Sequence, residues 1–295
     1  MGAAVLATIA VAAPAAQADT GCVWGMKRLP IPAGQSSYGA LAGAGDWLAS
    51  SGGTSVVIWH HEVARTVEFP VDRATPGINR HGVLISHGED GVWRGEEKLG
   101  ELPGGPSTVK SINADGDVVG TSGGVLVVWP AGSTSPVVLE GSDDGRTWWP
   151  LGIDDDGNVV ATTNFDQGML GYVWNGLGER SELRPLPGQD RTVPTLVENG
   201  RVYGYSQSWS GPGAAPSVEW NLSGEVVRTT DEGPVFDVNA AGDELLAWNS
   251  AVRRAHGRVD RWSYPYSMPF PSVLADNGDL YGGAYYEGPS KLFCR

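Results

Sequence analysis

Residues 98–129 read KLGELPGGPSTVKSINADGDVVGTSGGVLVVW, and this stretch decides the fold. Short runs rich in Val and Ile alternate with clusters of Gly, Asp, Asn and Ser, which is the pattern of strands joined by tight turns. The turn Asn113–Gly116 ends in a glycine that can take a positive φ at little cost. With the apolar run that follows, the unit predicts four strands, at Thr108–Asn113, Asp117–Thr121, Val125–Trp129 and Pro136–Leu139.

The same order of elements recurs about every 40 residues along the chain. A β-rich run leads into a turn closed by glycine, and a second β-rich run is followed by an apolar strand that ends in an aromatic residue. The turn glycines are Gly45, Gly82, Gly116, Gly157, Gly200, Gly242 and Gly278. The aromatic residues assigned to the third strands are Trp59, Trp93, Trp129, Trp174, Trp220, Trp262 and Phe293.

Seven four-stranded units predict an all-β fold, a β-propeller of seven four-stranded blades. No part of the sequence offers the long 3.6-residue apolar period of an amphipathic helix, so we expect few helices. The alternative is a β-sandwich, or two of them, which does not require seven equivalent units. The predicted propeller domain occupies residues 19–295.

Three segments of the third unit carry a family resemblance, namely Leu99–Gly105, Ile112–Asn113 and Gly116–Ser122. They resemble the repeat of the HAF family of extracellular bacterial repeat proteins, a β-propeller type distantly similar to WD40 and kelch propellers. The tripeptide His-Ala-Phe that names the family does not occur in this chain, and Val127-Val128 precedes Trp129 in its place. The resemblance implies an exported propeller-like repeat protein, and it brings no catalytic residues with it.

The first 18 residues form an uncharged apolar stretch that ends in Ala16-Gln17-Ala18. This ending is the small-x-small cleavage site of a secretory signal peptide. Pro14 interrupts the stretch, which is also short for a membrane span of about 20 apolar residues. We therefore predict a signal peptide over residues 1–18 and a secreted protein of the bacterial cell exterior. Lipid attachment at Cys22 is the alternative.

The two cysteines, Cys22 and Cys294, lie at opposite ends of the mature chain. The last unit ends after a third strand, and residues 22–31 contain a Leu-Pro pair like those of the fourth strands. We expect this N-terminal segment to complete the last blade, with a disulfide between Cys22 and Cys294. Such a bridge stabilises the fold by on the order of 5 kcal/mol in the chain-entropy account. Trp24 allows a second register, in which the closure shifts by one strand.

The composition narrows the classes of function. The chain has 20 Lys and Arg against 34 Asp and Glu, a net charge of −14, which strongly disfavours nucleic-acid binding because that requires clustered positive charge. Hydrophobic residues make up 41 % and Trp occurs 12 times, enough for a folded core. No run after residue 18 has the length of a membrane span, so we expect no span in the mature chain. We also expect a monomer.

The fourth, fifth and sixth units have the longest segments between the turn glycine and the assigned aromatic residue. Insertions in repeat proteins map to loops on one face, so these segments predict a ligand-binding rim. Aromatic, amide and guanidinium groups suit recognition of a glycan or a protein, unless Trp209 merely packs beneath its own loop. The candidate binding residues are Phe165, Asp166, Gln167, Tyr205, Gln207, Trp209, Arg253, Arg254 and His256.

Other motifs favour structural roles. Asp154–Asn158 and Asn113–Asp117 present oxygen atoms that Ca²⁺ accepts, but both recur at the repeat turn, where self-satisfied Asx turns are favoured. His60 and His61 follow one another in a predicted strand and are expected to diverge, which disfavours a zinc site. The G-x-S-x-G match at Gly120–Gly124 has no helix pattern after it. We expect no catalytic residue, no metal and no cofactor, with calcium as the alternative.

These observations favour a non-catalytic exported propeller that binds or scaffolds an extracellular glycan or protein. The first alternative is a secreted propeller enzyme, a glycoside hydrolase or lyase, whose acidic residues converge over the central channel. The second alternative is a purely structural module of the cell surface. The sequence does not name the ligand.

Overall fold

The computed structural model describes residues 22–35, 41–51, 55–68, 77–163, 168–208, 215–246, 250–262, 270–284 and 288–294. These residues form 28 strands in seven four-stranded antiparallel sheets, which confirms the predicted seven-bladed propeller. The predicted signal segment lies outside the described residues. In the described part of the chain, no helix is long and apolar enough to cross a membrane.

Each blade is a meander of four strands, numbered from the innermost strand outwards. Blades 1 and 2 comprise β2 (Ala42–Ala44), β3 (Trp47–Ser51), β4 (Ser55–His60), β5 (Val63–Glu68), β6 (Gly77–Ile78), β7 (Leu84–Gly88), β8 (Gly91–Arg94) and β9 (Glu97–Lys98). Blades 3 and 4 comprise β10 (Thr108–Ile112), β11 (Val118–Ser122), β12 (Val125–Trp129), β13 (Val137–Val138), β14 (Trp148–Ile153), β15 (Val159–Thr163), β16 (Gly171–Trp174) and β17 (Arg180–Glu182).

The remaining three blades follow the same order. Blades 5 and 6 comprise β18 (Arg191–Glu198), β19 (Arg201–Gln207), β20 (Ser217–Asn221), β21 (Val226–Thr230), β22 (Asp237–Val238), β23 (Glu244–Leu246), β24 (Ala251–Arg253) and β25 (Val259–Arg261). Blade 7 comprises β26 (Phe270–Leu274), β27 (Leu280–Ala284), β28 (Gly288–Cys294) and, from the other end of the chain, β1 (Trp24–Arg28).

The ring closes in blade 7 as the positions of the cysteines predicted. Strand β1 pairs antiparallel with β28, and Trp24 lies opposite Cys294. The disulfide joins Cys22 to Cys294 across this pair, with the two Cα atoms 5.4 Å apart. Trp24 therefore belongs to the outermost strand, and the alternative register is wrong.

The seven turn glycines all have positive φ, between 58° and 98°, which explains why the repeat requires glycine there. In blade 3 the Asn113 Oδ1 accepts hydrogen bonds from the backbone N–H groups of Gly116 and Asp117 at 3.0 and 2.8 Å. Its Nδ2 donates to the Asp154 carbonyl of blade 4 at 3.1 Å. One buried side chain thus shapes its own turn and binds the next blade.

Four of the assigned tryptophans connect each blade to the blade before it. The Trp129 Nε1 donates to the Gly100 carbonyl at 2.8 Å, just after the outermost strand of blade 2. Equivalent bonds to the segment leaving the previous blade are made, at 2.7 to 3.0 Å, by Trp59, Trp174 and Trp220. All four indoles are fully buried, so each contributes packing as well as a hydrogen bond.

Of the seven aromatic assignments to third strands, Trp262 was wrong, while Trp93 and Phe293 lie in their third strands but at a shifted position. In blade 3, Val118 pairs with Trp129, and the corresponding pair in blade 6 is Glu244 with Arg253. Trp262 instead follows the outermost strand of that blade. In blade 7 the corresponding residue is Leu292, one position before Phe293. In blade 2, Trp93 pairs with Ser86, the third residue of β7, whereas Trp129 of blade 3 pairs with the first residue of β11.

The disulfide gives a first testable prediction. Replacing both cysteines by serine (Cys22→Ser with Cys294→Ser) removes a cross-link that spans 272 residues of sequence. We expect the free energy of unfolding to fall by about 2–5 kcal/mol, which lowers the melting temperature measured by calorimetry. A reductant should lower the melting temperature of the wild-type protein and leave that of the variant unchanged. Equal melting temperatures for the two proteins would refute a stabilising bridge.

Candidate functional site

Those predicted rim residues that the structure describes do not gather on one face. We call the face that carries the seven turn glycines the turn face and the opposite face the loop face. Antiparallel strands reverse direction, so second-to-third-strand loops lie on the loop face, and third-to-fourth-strand hairpins lie on the turn face. Tyr205 and Gln207 lie at the loop-face end of β19. Outside the described residues lie Phe165, Asp166, Gln167 and Trp209.

The remaining three candidates, Arg253, Arg254 and His256, lie on the turn-face side of blade 6. Arg253 ends β24, and the other two belong to the hairpin that follows it. The Arg254 Nη1 lies 2.8 Å from an oxygen of Asp243, next to the turn glycine Gly242. Placing these three residues in a long second-to-third-strand loop was therefore wrong, because the third strand already begins at Ala251 and ends at Arg253.

Arg253 occupies a structural position. Its side chain is buried, and it pairs with Glu244 and Glu232. Its Nη2 also donates to the Thr230 Oγ1 at 3.0 Å, at the end of the outermost strand of blade 5. The guanidinium thus makes the inter-blade connection that an indole makes in blades 1, 3, 4 and 5.

The innermost strands enclose a cavity of about 360 Å³ at the turn-face end of the central channel. All seven blades contribute to its walls. Four innermost strands share an irregularity, a one-residue bulge, which places an extra residue against the cavity. These extra residues are Lys110, Leu151, Thr195 and Ser272.

Carboxylates dominate the charged lining of this cavity. Asp155, Glu198, Asp237 and Asp276 line it together with two cations, Arg80 and Lys110. The Arg80 Nη2 of blade 2 lies 2.6 Å from an Asp155 oxygen of blade 4, which neutralises that carboxylate.

Within the described residues, none of the other three carboxylates forms an ion pair, although the charge of Arg80 acts on Glu198 and lowers its pKa. Asp237 accepts hydrogen bonds from the Leu274 and Val238 N–H groups at 2.7 and 2.9 Å, and Asp276 accepts one from the Ala240 N–H at 3.0 Å.

Burial shifts the protonation of two of these carboxylates, Glu198 and Asp237. Burial raises the pKa of Glu198 to about 7, and the charges of Asp155, Asp154 and Asp237 act in the same direction. Burial also raises the pKa of Asp237 to about 7, against the two backbone N–H donors that favour its charged form. Near neutral pH the cavity therefore holds acids that exchange a proton readily.

Two motifs from the sequence have local structural contacts. Asp154 accepts hydrogen bonds from the N–H groups of Asp156 and Asn158, so it forms an Asx turn. His60 and His61 do not diverge as expected, because His61 begins a turn with φ of 48°, and the two rings lie 4.1 Å apart. In the described part of the chain, no group of three or more His, Cys, Asp or Glu side chains is placed to hold a metal ion.

The sequence contains a signal for the cavity in the positions of its acidic residues. The lining carboxylates stand at fixed positions of the repeat. Asp155, Glu198 and Asp276 each stand two residues before the turn glycine of their unit, and Asp237 stands five residues before Gly242. Residues that occupy the same position in different units lie at the same height along the channel. Comparing one position across all seven units therefore identifies side chains that can line the cavity together.

Comparisons with known proteins establish the fold only. No protein-family model matches the chain, and no curated protein matches it, so the resemblance to the HAF family stays a prediction. A streptogramin B lyase structure matches with a TM-score of 0.59 and 10 % identity, over 92 % of this chain and 98 % of that chain.

Two further structures match at similar levels. YCF48 bound to a peptide matches with a TM-score of 0.57 and 9 % identity, over 92 % of this chain and 95 % of that one. The extracellular domain of a putative one-component system of B. thetaiotaomicron matches with a TM-score of 0.56 and 11 % identity, over 90 % of this chain and 39 % of that one.

The role of Arg253 is testable through stability. The substitution Arg253→Met removes a buried cation from Glu244 and Glu232, whose remaining cationic partners are Arg228 and Arg261. We expect a loss of about 1–3 kcal/mol in urea unfolding. Combining Arg253→Trp with Glu244→Val installs the tryptophan–valine pair that Trp129 and Val118 form in blade 3. This double variant should recover most of the stability that Arg253→Met loses. An Arg253→Met variant as stable as the wild-type protein would contradict the structural role.

The raised pKa of Glu198 predicts a pH dependence of stability. Its folded-state pKa of about 7 lies above the ordinary value of 4.5, so between these values the folded state binds more protons than the unfolded state. This carboxyl group therefore costs stability as the pH rises from about 5 to about 7. The Glu198→Gln variant should gain stability relative to the wild-type protein over that range, measured as the difference in melting temperature. The exposed Glu96→Gln is the control, and parallel curves for wild type and Glu198→Gln would contradict the shift.

Proposed function

We propose that this protein is an exported, non-catalytic binding propeller whose ligand enters the central channel from the turn face and places a positively charged group among the channel carboxylates. The observation that carries the proposal is the cavity of about 360 Å³ lined by Glu198, Asp237 and Asp276. Ligand pockets of about 300–1,000 Å³ with a few convergent polar groups are typical of small-molecule sites.

The electrostatics of the cavity favour a cation over other ligands. Arg80 neutralises Asp155, so Glu198, Asp237 and Asp276 face the cavity against the single amine of Lys110. A ligand ammonium placed there favours the charged forms of Glu198 and Asp237, whose pKa values burial raises to about 7. Binding of a cation should therefore release protons near neutral pH.

Export is part of the proposal. The predicted signal peptide over residues 1–18 and the disulfide between Cys22 and Cys294 both favour an oxidising compartment outside the cytoplasm. Glycans and proteins of the cell exterior that carry free amino groups are the ligands that fit this location.

An enzymatic role is the second candidate, and one observation favours it. Glu198 and Asp237 have pKa values of about 7, which suits a general acid or base at neutral pH. A secreted glycoside hydrolase or lyase with acids over the channel would use such groups. Turnover of a glycan that Glu198→Gln abolishes while binding persists would establish the enzyme instead.

The test compares matched probes that differ only in charge. Glucosamine oligomers are titrated against their N-acetylated counterparts, and Nα-acetyl-lysine amide against Nα,Nζ-diacetyl-lysine amide, by isothermal calorimetry. We expect the charged member of at least one pair to bind about tenfold more tightly, and the preference to weaken with added salt. The variants Glu198→Gln and Asp276→Asn should remove the preference, whereas the distant Glu96→Gln should preserve it. Equal affinities within both pairs would overturn the proposal.

A further inference from the structure

Lys110 is the one cation of the channel lining without a partner among the described residues. It is the extra residue of the bulge in β10, between Val109 and Ser111, and its side chain is exposed to the cavity. The other three innermost strands with this bulge, in blades 4, 5 and 7, hold uncharged residues there, namely Leu151, Thr195 and Ser272. A lysine at this position is therefore a departure from the repeat.

The position of Lys110 in the ring separates its charge from the carboxylates. In a ring of seven blades, blade 3 lies across the channel from blades 6 and 7. Lys110 of blade 3 thus faces the side of the channel where Asp237 and Asp276 lie, and no ion pair joins it to either within the described residues. Both carboxylates already accept backbone hydrogen bonds from blades 6 and 7. The cavity therefore has one positive wall and one negative wall.

We propose that the channel ligand is a small zwitterion, an amino acid or a short peptide, whose ammonium group lies against Glu198, Asp237 and Asp276 and whose carboxylate lies against Lys110. This inference rests on the proposed function and adds the second charge of the ligand. A ligand of this class satisfies both walls at once, whereas a simple cation leaves the Lys110 amine without a counter-ion.

The uncharged lining fits the part of such a ligand between its two charges. Leu151 and Phe236 present apolar surface to the cavity, and Thr195, Ser111 and Ser272 present hydroxyl groups. Apolar and hydroxyl groups together accommodate an aliphatic chain and a peptide group.

The experiment uses three probes that share one skeleton. Nα-acetyl-lysine carries an ammonium and a carboxylate, its C-terminal amide carries the ammonium alone, and Nα,Nζ-diacetyl-lysine carries the carboxylate alone. Each is titrated by isothermal calorimetry into the full-length wild-type protein and into the Lys110→Met and Lys110→Arg variants. We expect the wild-type protein to bind Nα-acetyl-lysine about tenfold more tightly than its amide. That advantage should vanish in Lys110→Met and persist in Lys110→Arg.

The outcomes separate the two proposals. If the wild-type protein binds Nα-acetyl-lysine and its amide equally, and both better than the diacetylated probe, the zwitterion inference is wrong while the cation site stands. If the diacetylated probe binds as well as the others, both proposals fail. An advantage of the free carboxylate that survives Lys110→Met also overturns the assignment of Lys110. Melting temperatures of the variants confirm that each is folded, so a loss of binding is not a loss of the fold.

Discussion

Every blade of this protein depends on contacts with the next one, because a four-stranded sheet of this size cannot bury both of its faces alone. Two contacts recur. Towards the channel, a side chain such as Asn113 shapes its own turn and donates to the Asp154 carbonyl of the following blade. Further out, a buried indole such as that of Trp129 donates to the chain leaving the preceding blade. Both bonds require neighbouring blades in fixed register, so the ring must close.

Closure links the two ends of the chain. The pairing of β1 with β28 and the disulfide between Cys22 and Cys294 complete blade 7. Lys27 of β1 and Lys291 of β28 both bind the Glu62 carboxylate of blade 1, at 2.6 Å each, so ion pairs connect the closing blade to the first one. The innermost strands are then held around the channel, and this constraint lets carboxylates from different blades stay close together despite their repulsion.

Much of the architecture could be predicted from the sequence. The turn glycines need positive φ, and this local requirement marks each unit regardless of its other residues. The positions of Cys22 and Cys294 predicted the closure correctly. The register of blade 6 could not be read in the same way, because Arg253 stands where other blades have a tryptophan. Its partner Glu244 stands where blade 3 has the apolar Val118. An ion pair therefore replaces the hydrophobic pair by which the strand register is recognised in other blades.

The candidate site was harder to predict, because it depends on residues that are far apart in sequence. Asp155, Glu198, Asp237 and Asp276 each look like an ordinary turn or strand residue in its own unit, and only the ring brings them to one cavity. The loop lengths pointed to the opposite face instead, partly because the misplaced aromatic residue of blade 6 lengthened one apparent loop. Electrostatics in a shared cavity is a property of the closed ring and has no counterpart in a single repeat.

The most direct test of this account is a crystal structure of the protein soaked with Nα-acetyl-lysine. The account predicts density for the probe inside the channel, with its ammonium beside Glu198 and Asp237 and its carboxylate beside Lys110. Density on the loop face near Tyr205 and Gln207, with an empty channel, would contradict the central claim that the ring of innermost strands forms the binding site.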